Sequence, residues 1–195
     1  MTFNEWRNKY DQMTLSEQIE YHNVIEGQYP EQAHYTYENV KHVLSDDDIS
    51  VLEFGCWKAD LAQRAISEYL IKDWKGIEIC TAAIEKTRCT AKEFSYIIPK
   101  DFNWFATTVR PECDVIIATH FIEHLSGEHF EQLAEYCKGV PLIYFEAPLS
   151  NEGESWEGYT GTHKLTYGWN KVNEIMFNKG YHVKNDFVEG KIYSL

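Results

Sequence analysis

The sequence predicts an α/β fold: a three-layer α/β/α sandwich around a mainly parallel seven-stranded sheet, with an N-terminal helical cap and a C-terminal antiparallel hairpin. Three observations carry this. From Ile49 onward short apolar runs alternate with amphipathic stretches, the pattern of strands joined by helical crossovers. The runs are apolar throughout rather than alternating, as in strands covered on both faces. The chain ends in two strand-like runs, YHVKNDFV and KIYSL, on either side of Glu189-Gly190, which reads as a hairpin. At 195 residues one domain accounts for the whole chain, 1–44 as cap and 45–195 as core.

The elements follow in order. The segment TLSEQ fits a capping box, with Thr14 as the cap and Glu17 reaching back. Tyr29-Pro30 separates two helical pieces, and Ala33, Tyr37, Val40 and Leu44 recur at helical spacing. Ser45 to Asp48 is a polar turn. Val51 to Phe54 is a buried strand. Leu61, Ala62, Ala65, Ile66, Tyr69 and Leu70 form one helical stripe. Gly76 to Ile79 is a second strand, Thr81 to Cys89 a short helix, and Ser95 to Ile98 a faint third strand. Val115 to Ala118 is the fourth. Phe130, Leu133, Ala134 and Cys137 mark the next helix, and Leu142 to Phe145 the fifth strand. A polar, glycine-rich loop spans Ser150 to Thr162. Trp169, Val172, Ile175 and Met176 then mark a helix that Gly180 ends.

Composition excludes several classes. The net charge is −13, so phosphate-tracking affinity is lacking and nucleic acid is disfavoured as a partner. No run of about 18 apolar residues suggests a membrane span. The N-terminal MTFNEWRNKYDQM lacks the apolar centre of a secretory signal. Five cysteines without a CxxC pair point to reduced thiols and a cytoplasmic protein.

Four local stretches in this order resemble the class I S-adenosylmethionine-dependent methyltransferases. VLEFGCWKADLA resembles their first motif, an acidic residue followed by spaced glycines. KGIEIC resembles their second strand, which ends in an acid. CDVIIATHFIEHL resembles their fourth strand with its following turn, and PLIYFEAPL their fifth. The resemblance covers about residues 49–195. It implies S-adenosyl-L-methionine as cofactor, contacted by Glu53, Gly55, Cys56 and Trp57 of the first motif and by Glu78 and Ile79 of the second. It also implies Asp101 beside the adenine, and Thr119 and His120 at the border of the transferring methyl group.

The residues have their own physical readings. Gly55 permits a sharp turn at a strand end. A carboxylate at Glu78 can accept two ribose hydroxyls at the switch point of the sheet. Glu53 either orients the glycine turn or is a partly buried polar support. Trp57 and Ala59 stand where the family has its second and third glycines. Trp57 either folds outward, packs over the methionine portion, or marks an altered site. GxGxxG is absent, which weakens a nicotinamide reading.

His120 and His124, four apart, would share a helix face, but no third ligand is evident and no metal is expected. His120 and His163 are the candidate general bases, acting through a neutral imidazole. Tyr29, His34, Tyr35, His120, Trp156 and Tyr159 are candidates for the acceptor pocket, drawn from cap and polar loop. The expected activity is methyl transfer to an oxygen or nitrogen of a small molecule. The alternatives are a catalytically silent relative that binds a metabolite or protein, and a methyltransferase acting on protein.

Overall fold

The computed structural model describes residues 14, 17, 32–44, 48–78, 80–99, 108–151, 165, 167–188 and 190–195. At the start of the chain the capping box forms: the Thr14 N–H donates to Glu17 Oε2 at 2.7 Å and the Glu17 N–H to Thr14 Oγ1 at 3.3 Å.

The elements are α1 (Gln32–Val40), β1 (Ile49–Phe54), α2 (Asp60–Glu68), β2 (Ile71–Ile77), α3 (Thr81–Glu85), β3 (Phe94–Ile97), β4 (Val115–Thr119), α4 (Gly127–Cys137), β5 (Leu142–Glu146), α5 (Trp169–Asn178), β6 (His182–Asp186) and β7 (Gly190–Ser194). A single 3-10 turn, Ile122–His124, follows β4. The seven-stranded sheet has the order β3-β2-β1-β4-β5-β7-β6. The first five strands are parallel, and β7 pairs antiparallel with both β5 and β6. This is the predicted architecture.

Side-chain alternation along β1 and β4 splits the core into two layers. Leu52, Phe54, Ile116 and Ala118 face Phe130, Leu133 and Ala134 of α4 and Val172 and Met176 of α5. Val51, Val115 and Ile117 face Val40 of α1 and Ala62 and Ala65 of α2. Helices thus cover both faces of the sheet, which is why its central strands are apolar throughout.

Two boundaries differ by more than two residues from the sequence reading. β2 begins at Ile71, five residues before the predicted Gly76, because Lys72, Asp73 and Lys75 mask it. Only Trp74 and Ile71 of that first part are buried. α3 ends at Glu85 rather than Cys89.

Gly76 in β2 explains itself by close approach. A Cβ there would lie 2.3 Å from Cys56 Sγ and 3.0 Å from Phe94 Cε2. Gly76→Ala is therefore expected to destabilise the protein by about 1–3 kcal/mol through overpacking. Cys56→Ala in the same chain should return part of that, a coupling readable from urea unfolding of the double-mutant cycle. Strictly additive losses would show that the Cys56 contact is not the cause.

Candidate functional site

The carboxyl ends of β1, β2, β4 and β5 lie side by side in this strand order. The order reverses between β1 and β4, and the crevice at such a switch point is where open α/β sheets bind ligands.

On one side of the switch, the turn after β1 is held from both ends. The Gly55 and Cys56 N–H groups donate to the Ile77 carbonyl at 2.8 and 3.3 Å, and the Ala59 N–H donates to the Cys56 carbonyl at 2.8 Å. Gly55, Trp57 and Ala59 all have left-handed backbone, at φ +70°, +50° and +60°. Left-handed backbone thus occurs at two positions here that are not glycine. A non-glycine residue held left-handed costs roughly 1–2 kcal/mol, so Trp57 and Ala59 carry strain that the neighbouring contacts must offset.

Those contacts centre on Glu78. Its Oε2 accepts the Trp57 N–H and its Oε1 the Cys80 N–H, each at 2.8 Å. The side chain just past β2 therefore fixes the turn after β1, with its carboxylate plane set by two donors. On β3, the Tyr96 hydroxyl donates to the Trp57 carbonyl at 3.0 Å. Both peptide groups of the strained tryptophan are tied down while its side chain is half-buried. Lys58 lies 5.5 Å from its ring centroid.

Glu53 has a different role from orienting this turn. It is buried, and its Oε2 accepts the Trp74 indole N–H of the adjacent strand at 2.8 Å. Burial pushes its carboxyl up to about 8 against that bond, with Glu78 and Asp60 adding to the rise. Buried and bonded to the neighbouring strand, Glu53 sits as a polar support between strands. Cys56 is buried beside it, and burial raises its thiol well above the ordinary value.

Across the switch, β4 and β5 build a second cluster. Thr119 and Glu146 are register partners at the strand ends. The next residue, His120, is left-handed at φ +50°, and its N–H donates to the Glu146 carbonyl at 2.8 Å. This turn aims the imidazole between two carboxylates: Nδ1 lies 3.4 Å from Glu123 Oε1, and Nε2 3.3 Å from Glu146 Oε1. Glu146 is fully buried and also accepts the Thr36 hydroxyl from α1 and the Tyr144 hydroxyl.

Burial by itself would lower the His120 pKa. The bonds to Glu123 and Glu146 outweigh it and push the group up to about 10. Both carboxylates are held below their ordinary range: burial opposes this, and the His120 hydrogen bond leads the terms that overcome it. The two carboxylates therefore favour the protonated imidazole, where the sequence reading expected a neutral base. The helix face shared with His124 does not form either. His120 precedes the 3-10 turn that contains His124, and its left-handed backbone breaks the helical spacing.

Of the other sequence candidates, Ile79, Asp101, His163, Tyr29, Trp156 and Tyr159 lie outside the described residues, as do the side chains of His34 and Tyr35 in α1. Sequence reasoning missed Glu146, Tyr96 and Thr36. Glu146 carried a usable signal, since it ends a buried strand just as Glu78 follows one. Tyr96 and Thr36 carried none.

No family model and no curated protein matches the chain by sequence. Solved structures do match in fold. A DhpI–SAH complex aligns over 96% of this chain and 92% of its own at 13% identity and a TM-score of 0.67. A SAM-dependent methyltransferase from Archaeoglobus fulgidus aligns over 83% and 75% at 18% identity and a TM-score of 0.63. The small RNA methyltransferase HEN1 aligns over 83% of this chain and 24% of its own at 14% identity and a TM-score of 0.61. The fold is that of the class I S-adenosylmethionine-dependent methyltransferases.

Proposed function

We propose that the protein binds S-adenosylmethionine across the β1 and β2 ends and transfers its methyl group to an oxygen or nitrogen of a small molecule. The observation that carries this is the turn at Gly55, Trp57 and Ala59, left-handed at all three positions and tied to Glu78. An ordinary loop has no cause to keep a strained glycine conformation at a tryptophan and an alanine. A carboxylate has about four acceptor positions, so Glu78 can receive two ribose hydroxyls beside its two N–H donors. The turn backbone and the N-terminus of α2 suit the methionine carboxylate, as helix N-termini suit anions. Ile79 and Asp101 complete the proposed cofactor contacts, and Thr119 and His120 border the reacting end.

When bound, the sulfonium supplies an activated methyl group with a good leaving group. The protein's part is then mainly positioning. The cluster around His120 fixes the β4 and β5 ends through α1, so cap and core meet at the acceptor side. Tyr29, His34, Tyr35, Trp156 and Tyr159 are proposed to line the acceptor pocket, with His163 as a proton acceptor where the nucleophile needs one.

A cytoplasmic location without nucleic acid or membrane as partner belongs to the same reading. All five cysteines are thiols, the net charge is −13, and no helix among the described residues is long and apolar enough to cross a membrane.

Trp57 favours one competing reading, a silent fold that binds a metabolite or a protein partner. Calorimetric titration of S-adenosylmethionine and its demethylated product separates the two. Saturable binding of both is expected; binding of neither supports the silent fold. Trp57→Gly gives a finer outcome. The turn should keep its shape, because its hold on Trp57 is through backbone groups, and cofactor affinity should stay within about tenfold. A total loss of binding would place the indole itself against the cofactor.

A further inference from the structure

The turn after β1 is clasped from one stretch of chain, Ile77 to Tyr96. Its Gly55 and Cys56 N–H groups go to the Ile77 carbonyl and its Trp57 N–H to Glu78. The Trp57 carbonyl accepts the Tyr96 hydroxyl of β3 at 3.0 Å. One residue on, the Lys58 carbonyl accepts the Arg88 N–H at 2.9 Å and the Thr87 hydroxyl at 3.4 Å. Thr87 also hydrogen-bonds Tyr96.

Two of these bonds bracket a single Cα. Glu78 fixes the peptide before Trp57, and Tyr96 fixes the peptide after it. Together they set both dihedrals of a residue whose φ is +50°, a backbone that a tryptophan disfavours. With either bond missing, the peptide on that side is free to turn and the left-handed form loses half its hold.

We propose that Tyr96 is a positioning residue of this turn. Its hydroxyl acts through the Trp57 backbone and keeps the turn in shape before a ligand arrives. The edge strand β3 thereby serves a site at the end of β1 without contributing a group to it. The consequence for cofactor binding rests on the methyltransferase reading: apparent affinity falls with the fraction of chains in the competent shape. The clasp itself is measurable without a ligand. A simpler role, packing of the ring, is separable because Tyr96 meets Phe94 edge to face at 4.7 Å, a contact that Tyr96→Phe retains. Glycine takes left-handed backbone freely. The hydroxyl should therefore matter where residue 57 is tryptophan and cease to matter in Trp57→Gly.

The test uses the full chain in four forms: unaltered, Tyr96→Phe, Trp57→Gly and the double variant. Amide hydrogen exchange at position 57 is followed by NMR, and S-adenosylmethionine and its demethylated product are titrated by calorimetry. Tyr96→Phe is expected to speed exchange of the Trp57 amide at least about threefold and to weaken both ligands by roughly three- to tenfold, the scale of one lost hydrogen bond. In the Trp57→Gly background the same substitution should change affinity by less than about twofold. Unchanged exchange in Tyr96→Phe overturns the proposal. So do equal losses of affinity in both backgrounds, which would mean that the hydroxyl acts on the ligand or on the fold at large. Faster exchange in a chain whose unaltered form binds neither ligand supports the clasp and overturns the methyltransferase reading alone.

Discussion

Glu78→Ala is expected to lower affinity for S-adenosylmethionine by at least about 100-fold, or about 2.8 kcal/mol. Two effects add. The proposed acceptor for the ribose hydroxyls is lost, and so is the anchor of the turn. The Trp57 and Cys80 N–H groups that Glu78 holds at 2.8 Å are left without it, each at about 1–3 kcal/mol where water cannot enter. Trp57 then has less to hold it left-handed, so the turn should relax toward ordinary backbone. The two effects come apart in Glu78→Gln, whose amide oxygen can still accept one N–H but whose charge is gone. That variant should keep most of the fold's stability and lose an intermediate share of affinity. Calorimetry for the cofactor and urea unfolding for the protein read both quantities. Unchanged affinity in Glu78→Ala would sink the ribose assignment, whatever happens to stability.

The fold was legible because its evidence is periodic. Ile116 to Ala118 and Ile143 to Phe145 are apolar for the same reason, burial on both faces of the sheet, and that reason writes itself into consecutive residues. The start of β2 was not legible. Lys72, Asp73 and Lys75 make the local pattern polar, and the strand is set by pairing with β1, which no local window contains. The site divides the same way. Gly55 and Glu78 could be singled out because strand ends at a switch point have a topological meaning. The state of His120 could not, because a pKa depends on what approaches in space. Glu146 lies 26 positions on and Thr36 lies 84 back, and only the folded sheet and α1 bring them together. Trp57 and Ala59 show a third case. Their types suggest an altered motif, yet their backbone is left-handed as at Gly55, because hydrogen bonds to the peptide groups do not depend on the side chain.

The second large effect concerns the His120 cluster and has a definite sign in pH. A group whose pKa is raised on folding stabilises the fold fully below its unfolded value and loses that contribution as pH climbs through the folded value. For His120 this runs from the ordinary 6.5 to about 10. Glu123 and Glu146 are lowered on folding, so their contribution is present above the ordinary value of 4.5 and fades as pH falls below it. The cluster is therefore most stabilising between about pH 4.5 and 6.5. Above this window the unaltered protein is expected to lose roughly 2–4 kcal/mol of unfolding free energy by pH 10 through this one group. Lysines and tyrosines also titrate near the upper limit, so the measurement needs a partner that differs only at this site. His120→Asn serves, because asparagine tolerates the left-handed backbone that residue 120 adopts. It leaves Glu123 and Glu146 without their cation and should be less stable throughout the window. Its unfolding free energy should also lack the alkaline decline. Parallel stability curves for the two proteins from pH 6.5 to 10 would mean that His120 titrates alike in folded and unfolded chains.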